Sequence, residues 1–275
     1  MINQQRWQAI LAEAKRKDLP LTKKRAIIRE FLQVKFLVNL YRLKDCSCLA
    51  FIGGTSLRLL RGLDRFSEDL DFDNFGLKPA KVKILFEKTA AVFKREKYCF
   101  EFDFKATKDG GRGRLRFADL FYKLKISGHA KEKLMIKLDF SQRERIDTEV
   151  VLLTGFGSSE RIVTNTLPVL LAQKSRVLMT RKQTRGRDFY DIYWLLSRGV
   201  KPSLKVLKPL GVDSEADFYL KLKKIYQKEE KKMPFYQKQI RPFLINEGNR
   251  RYLDFFGELI DKRISQSARP RLSLS

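Results

Sequence analysis

Residues Phe51 to Phe72 read FIGGTSLRLLRGLDRFSEDLDF, and no other stretch constrains the chain as tightly. The apolar run Leu49 to Ile52 has the length of a buried strand and ends at Gly53-Gly54-Thr55-Ser56. Two glycines at a strand end, with hydroxyls opening the next helix, let backbone N–H groups face a phosphate. Thirteen residues after Ser56 comes Asp69-Leu70-Asp71. Carboxylates at i and i+2 on a strand point to the same side. Such pairs are common ligands of magnesium bound to nucleotide phosphates. A phosphate turn followed by a paired carboxylate strand points to metal-dependent nucleotide chemistry.

Periodicity along the chain predicts an α/β (α+β) fold. Residues 5–45 read as helical, with Ile27, Ile28, Phe31, Leu32, Val34, Phe36 and Leu37 among lysines and arginines. Cys48 to Ile52 reads as a strand, Thr55 to Gly62 as a short helix, Leu70 to Asp73 as a second strand and Pro79 to Arg95 as a helix. Tyr98, Phe100, Phe102 and Phe104 then alternate with Cys99, Glu101 and Asp103, which places the aromatics on one face. That face suits core packing better than base stacking. Asp109-Gly110-Gly111-Arg112-Gly113 reads as a turn, with Leu115 to Ile126 as the returning strand. Leu134 to Phe140 alternates again, with Lys137 and Asp139 facing away from the core. Strand content ends near residue 164. From Thr166, a candidate N-cap before Pro168, the pattern is helical: one apolar-sided segment, a helix from Arg187 to Ser197, and basic amphipathic helices near 214–232 and 249–266. The expected division is an α/β domain over 1–164 and a helical bundle over 165–275, with a loose tail SQSARPRLSLS.

Fifty-eight Lys and Arg against 32 Asp and Glu give a net charge of +26, spread along the chain. A positive surface of that size favours polyanions, chiefly nucleic acid, and disfavours a small cationic substrate. The balanced Lys and Glu of a thermophile surface is absent. No apolar run approaches the length of a membrane span, and the N-terminus lacks the apolar core of a signal peptide, so a cytoplasmic protein is expected. Cys46, Cys48 and Cys99 lack metal-site spacing and read as small core residues in a reducing compartment. His129, the only histidine, lies in the loop-like SGHAKEK segment, which argues against a histidine-based triad or a zinc site.

Polymerase-type nucleotidyl transfer needs metal-holding carboxylates near the α-phosphate and a cradle for the β- and γ-phosphates. Asp69 and Asp71 are the candidates for the first role, with Asp139 as a third carboxylate. Gly53, Gly54, Thr55 and Ser56 would form the cradle, with Arg58 and Arg65 near enough in sequence to reach phosphate and Ser67 beside the carboxylates. Each residue also has an ordinary reading: a solvated D-x-D, a tight turn, a salt-bridge partner. Their order along the chain is what carries the chemical reading. In the helical half, Lys174 has the alternative of a solvated helix lysine. Asp188 and Asp191, at i and i+3, sit where a helix N-terminus favours carboxylates, so Asp188 reads equally well as a capping residue.

Gly53-Gly54-Thr55-Ser56-Leu57 with Arg65-Phe66-Ser67-Glu68-Asp69-Leu70-Asp71-Phe72 resembles the first motif of the AbiEii/AbiGii toxins. These are nucleotidyltransferase-like proteins of type IV toxin–antitoxin and phage-abortive systems, with the MenT toxins as relatives. Lys137-Leu138-Asp139 is similar to that family's third-carboxylate strand. Leu171-Ala172-Gln173-Lys174 and Arg187-Asp188-Phe189-Tyr190-Asp191-Ile192 are similar to its later lysine and aspartate motifs. The resemblance runs from about residue 25 to 200. It implies a DNA-polymerase-β-like core with a helical bundle, Mg²⁺, an NTP substrate and, for several members, nucleotide transfer to tRNA 3′ ends that blocks translation. Asp69 and Asp71 would then bind metal, Lys174 would contact the NTP phosphates, and Asp188 would be an essential acid. The resemblance also implies a separate antitoxin, often a winged-helix protein.

The leading expectation is therefore an NTP:RNA nucleotidyltransferase toxin acting on tRNA or another RNA. Two other readings stay open: an RNA- or DNA-binding module on an inactive transferase fold, and transfer to a protein or small-molecule acceptor.

Overall fold

The computed structural model describes residues 2–267, and the chain divides into two compact units, Met1–Asn165 and Thr166–Ser275. The first unit is built on a seven-stranded mixed sheet in the order β3-β4-β5-β2-β1-β7-β6. Its strands are β1 (Leu49–Ile52), β2 (Leu70–Asn74), β3 (Phe100–Thr107), β4 (Gly110–Phe117), β5 (Leu134–Gln142), β6 (Thr148–Gly155) and β7 (Ser158–Asn165). Its helices are α1 (Gln4–Arg16), α2 (Lys24–Tyr41), α3 (Gly53–Arg61), α4 (Pro79–Arg95) and the single turn α5 (Leu120–Lys123). The α/β class expected from the periodicity is what the structure shows.

Central register fixes which side chains share a face. β1 runs antiparallel to β2 and β2 parallel to β5, so Phe51, Phe72 and Phe140 stand in one row and Asp71 and Asp139 in the next. The phenylalanine row turns toward Phe86 of α4, whose ring lies 5.7 Å from that of Phe72 and 6.2 Å from that of Phe140. Phe36 of α2 packs edge-on against Phe86 at 5.9 Å, which seats both helices on this apolar face. Phe104 of β3 stacks on Phe140, so the half-buried aromatic side of this edge strand faces the core, as its alternation implied. Tyr98 lies outside β3 but is buried against Phe93 and Phe117.

The sequence misleads most between residues 108 and 126. Gly110, Gly111 and Gly113 belong to β4 and not to the turn, which is only Lys108-Asp109. A Cβ built on Gly111 would lie 2.5 Å from the Phe140 ring, so the glycine makes room for an aromatic. β4 ends at Phe117 because Asp119 takes a left-handed conformation (φ 57°), and α5 with the left-handed Lys125 follows where the pattern predicts a continuing strand. Near the N-terminus the predicted single helical stretch is two helices, parted at residues 17–23, where Asp18 is left-handed and Pro20 follows. α3 begins at Gly53, two residues earlier than expected.

The second unit is helical: α6 (Leu167–Thr180), α7 (Gly186–Ser197), α8 (Leu204–Leu207), α9 (Glu215–Glu229), α10 (Met233–Ile240) and α11 (Phe256–Ser267). Phe189 of α7 meets Phe256 of α11 edge-on at 5.0 Å, and Tyr190 stacks on Tyr252 at 5.8 Å. Thr166 occupies the N-cap position of α6, but its side chain makes no capping hydrogen bond, so Pro168 in the first turn is the local start signal. α10 has no counterpart among the helices that the periodicity predicts, and residues 268–275 of the expected loose tail lie outside the described residues. No helix among the described residues is long and apolar enough to cross a membrane.

Of the three cysteines only Cys46 is buried. Cys99 is exposed, because strand alternation sends it away from the aromatic face. Burial pushes the Cys46 thiol up to about 11, and thiolate is the reactive form. At pH 8, iodoacetamide should therefore label Cys99 quickly in the folded protein and Cys46 only after denaturant is added, which peptide mass mapping will read. Gly110 (φ +155°) supports a second test, because a Cβ there would run into the Phe140 backbone carbonyl. Gly110→Ala should destabilise the first unit by roughly 1–3 kcal/mol in chemical denaturation.

Candidate active site

The candidate functional face of the first unit is the one that turns away from the phenylalanine row. Asp71 and Asp139 are direct partners on the parallel pair β2–β5, which sets their Cα atoms roughly 5 Å apart. Asp69 falls one residue before β2 and Lys137 two residues before Asp139, with Lys137 Nζ 3.8 Å from Asp69 Oδ1. The i, i+2 geometry expected of Asp69 and Asp71 is thus built from the end of a loop and the start of a strand. The three carboxylates sit on one side of two neighbouring strands, each part-exposed.

The glycine turn abuts this pair. Gly53 takes φ +82°, and a Cβ built there would lie 2.5 Å from Asp71 Oδ2. A side chain at position 53 is therefore excluded twice, by backbone conformation and by the carboxylate. α3 starts here with no side chain capping it, so its first-turn N–H groups have no intrahelical acceptor. The hydroxyls of the motif bond within the fold. Thr55 Oγ1 donates to the Asp69 backbone carbonyl, and Ser56 Oγ lies 2.9 Å from Thr164 Oγ1, with all three residues buried. They brace the turn against β2 and β7, and the backbone amides are what remains to face an anion.

Arg65 and Ser67 also lie against this turn. Arg65 is 2% exposed, donates to the Phe66 carbonyl at 3.0 Å, and packs its guanidinium where a Gly54 side chain would otherwise project. It brings positive charge to the turn from beneath instead of reaching into solvent. Ser67 Oγ would sit 3.0 Å from a Gly54 Cβ. Arg58 is committed elsewhere, in a two-point ion pair with the buried Glu30 of α2 at 2.9 and 3.1 Å.

Sequence reasoning missed the residues that hold this loop. Gln33 of α2 is 1% exposed and donates to the carbonyls of Ser67 and Glu68 at 3.2 and 2.9 Å. The signal was present as a lone amide inside the apolar run FLQVKFLV. Asp73 is a buried brace: Asn165 Nδ2 donates to it at 2.7 Å, and Arg143 Nε lies 3.7 Å away.

Carboxylate oxygens are the donors a hard divalent cation takes. Asp69 and Asp71 fit such an ion by donor type and partial exposure. Asp139 is engaged by Arg112 of β4, whose Nε lies 2.7 Å from its Oδ1. Among the described residues, no three His, Cys, Asp or Glu side chains form a ready-made metal cluster.

Lys174 and Asp188 lie in the second unit. Lys174 is not a solvated helix lysine: its Nζ lies 2.8 Å from Asp191 Oδ2, and Asp191 is fully buried. Asp188, 4% exposed, accepts from the Arg185 N–H at 3.1 Å and from Arg181 Nη1 at 2.7 Å. The capping alternative for Asp188 is thus realised, strengthened by an ion pair. Asp188 and Asp191 share the buried face of α7 as their spacing required.

Gly53→Ala tests the turn. Strain at a left-handed position and the clash with Asp71 should lower stability by about 1–3 kcal/mol and displace the carboxylate, with the melting temperature and divalent-ion binding as readouts.

The solved structures bear out the architecture. JHP933 from Helicobacter pylori is 20% identical, with a TM-score of 0.54 over 88% of this chain and 94% of its own. An H. pylori protein provisionally assigned as a nucleotidyltransferase is also 20% identical, with a TM-score of 0.57 over 89% of this chain and 98% of its own. No curated protein matches with significant similarity. The family model of the nucleotidyl transferase AbiEii toxin, type IV toxin–antitoxin system, matches residues 35–260, a span that contains the glycine turn, all three carboxylates, Lys174 and Asp188. The chain belongs to the AbiEii nucleotidyltransferase toxin family.

Proposed function

We propose that this nucleotidyltransferase toxin uses Mg²⁺ to transfer nucleotides from an NTP to RNA, with a tRNA 3′ end as the acceptor and arrest of translation as the result. The observation that carries the reading is the sharing of one sheet face by Asp69, Asp71 and Asp139 beside the uncapped start of α3. Magnesium, when bound, would neutralise phosphate charge and make the acceptor hydroxyl more acidic. Asp69 and Asp71 would hold it, with Asp139 as the third ligand. The amides of Gly53, Gly54 and Thr55 would orient the β- and γ-phosphates at the positive end of α3, with buried Arg65 adding charge behind them. Gly53 keeps the phosphates close to the carboxylates, because nothing projects between them.

For Lys174 as a phosphate contact and Asp188 as an essential acid, the support is family resemblance. The RNA acceptor is supported by the net charge of +26, which raises the local concentration of polyanions and opposes small cationic acceptors. The family's type IV membership implies a cognate antitoxin, and a winged-helix protein is the proposed form. A second reading, nucleic-acid binding without transfer, draws on the engagement of Asp139 by Arg112.

Incubation with each α-labelled NTP, Mg²⁺ and bulk tRNA separates these readings. Label should enter tRNA with at least one NTP and not enter protein or small acceptors offered alongside. Asp69→Ala should abolish it while leaving salt-sensitive tRNA binding intact. Absence of label with all four NTPs sinks the catalytic reading, and tRNA binding that persists without product favours the second.

A further inference from the structure

The functional face of the first unit continues outward from the carboxylates as a ladder of paired charges. Register aligns Asp71, Asp139, Arg112 and Lys105 across β2, β5, β4 and β3. The next row aligns Lys137, Arg114 and Asp103, and the one beyond it holds Arg116 and Glu101. Arg114 Nε lies 3.0 Å from Asp103 Oδ1, Arg116 Nη1 2.5 Å from Asp103 Oδ2, and Lys133 Nζ 2.7 Å from Glu101 Oε1. One rung of this ladder differs from the others. Arg112 holds Asp139, the carboxylate beside Asp71, and its guanidinium also feels the charge of Asp69. Arg112 is nonetheless 67% exposed at its side chain, so it is free to swing away.

We infer that Arg112 is a positioning residue that competes with the divalent cation for Asp139. The inference rests on the metal reading proposed above. With Arg112 engaged, Asp139 is held one strand outward and the site offers two carboxylates. Release of the pair turns Asp139 Oδ1 toward Asp71 and completes a three-carboxylate set. An exposed ion pair of this kind is weak, so the competition is reversible and the cost of release small. The cross-strand pair also keeps three neighbouring anionic side chains from repelling one another in the absence of metal.

Titration with Mn²⁺ alone, followed by calorimetry or by the electron paramagnetic resonance signal of free Mn²⁺, tests this without any nucleotide or turnover. Arg112→Ala should tighten Mn²⁺ binding by roughly two- to fivefold, the scale of an exposed ion pair. That gain should vanish in an Asp139→Asn background, because the competition acts through that carboxylate. Arg114→Ala removes the same charge one row away, from a residue paired with Asp103, and should give a clearly smaller change. Unchanged or weaker binding in Arg112→Ala overturns the inference. So does a gain that survives Asp139→Asn or is matched by Arg114→Ala, because the effect is then general electrostatics. If wild type binds no Mn²⁺, or binds it equally well as Asp69→Ala/Asp71→Ala, the metal reading itself falls and this inference with it.

Discussion

The pairing of β2 with its neighbours governs this molecule. Strand alternation leaves only two choices for each residue of β2, and a one-residue slip would exchange them all. Phe72, paired with Phe51 on one side and Phe140 on the other, is held under Phe86 by a continuous aromatic contact. Exchanging the faces of β2 would bury Asp71 beneath α4 and expose Leu70 and Phe72. Burial of these apolar side chains, each contributing on the order of 2 kcal/mol, opposes that slip. The placement of the carboxylates is therefore a by-product of hydrophobic register.

The loops around this register are fixed by buried polar groups and not by exposed ones. Thr55, Ser56, Gln33, Asp73 and Asn165 form a shell of hydrogen bonds behind the functional face. Buried polar groups are costly unless paired, so each of these bonds is specific in geometry. They leave backbone amides and part-exposed carboxylates as the groups able to meet a ligand. Polarity is thus divided by depth: the hydroxyls, amides and the Asp73 carboxylate bond within the fold, while Asp69, Asp71 and Asp139 stay part-exposed.

Legibility in the sequence follows the length scale of the interaction. The glycine turn, the D-x-D pair, the alternation of β3 and β5 and the helix over Pro79–Arg95 are local patterns, and each can be read from neighbouring residues alone. Asp139 stands out as an outward carboxylate on a buried strand, but its adjacency to Asp71 depends on a pairing across 68 residues. Gly110, Gly111 and Gly113 read as a turn because glycine usually signals one; here Gly110 clears the Phe140 backbone carbonyl, and Gly111 and Gly113 accommodate rings of β5 and β3. That the Thr55 and Ser56 hydroxyls bond inward could not be read, because sequence does not report depth. The Lys174–Asp191 and Arg181–Asp188 pairs are hidden for a similar reason, since helix spacing gives the face but not what packs on it.

The parallel β2–β5 pairing has a consequence during synthesis. A growing chain can form the antiparallel β1–β2 pair and its glycine turn early, yet Asp139 emerges only after α4, β3, β4 and α5, and β7 closes on β1 later still. Contacts of such long sequence separation form late, because loop closure entropy must be met before they contribute. The face that carries Asp69, Asp71 and Asp139 is therefore put together only once this long-range pairing has formed. The ribosome that makes the chain is well past the glycine turn before the assembled face exists.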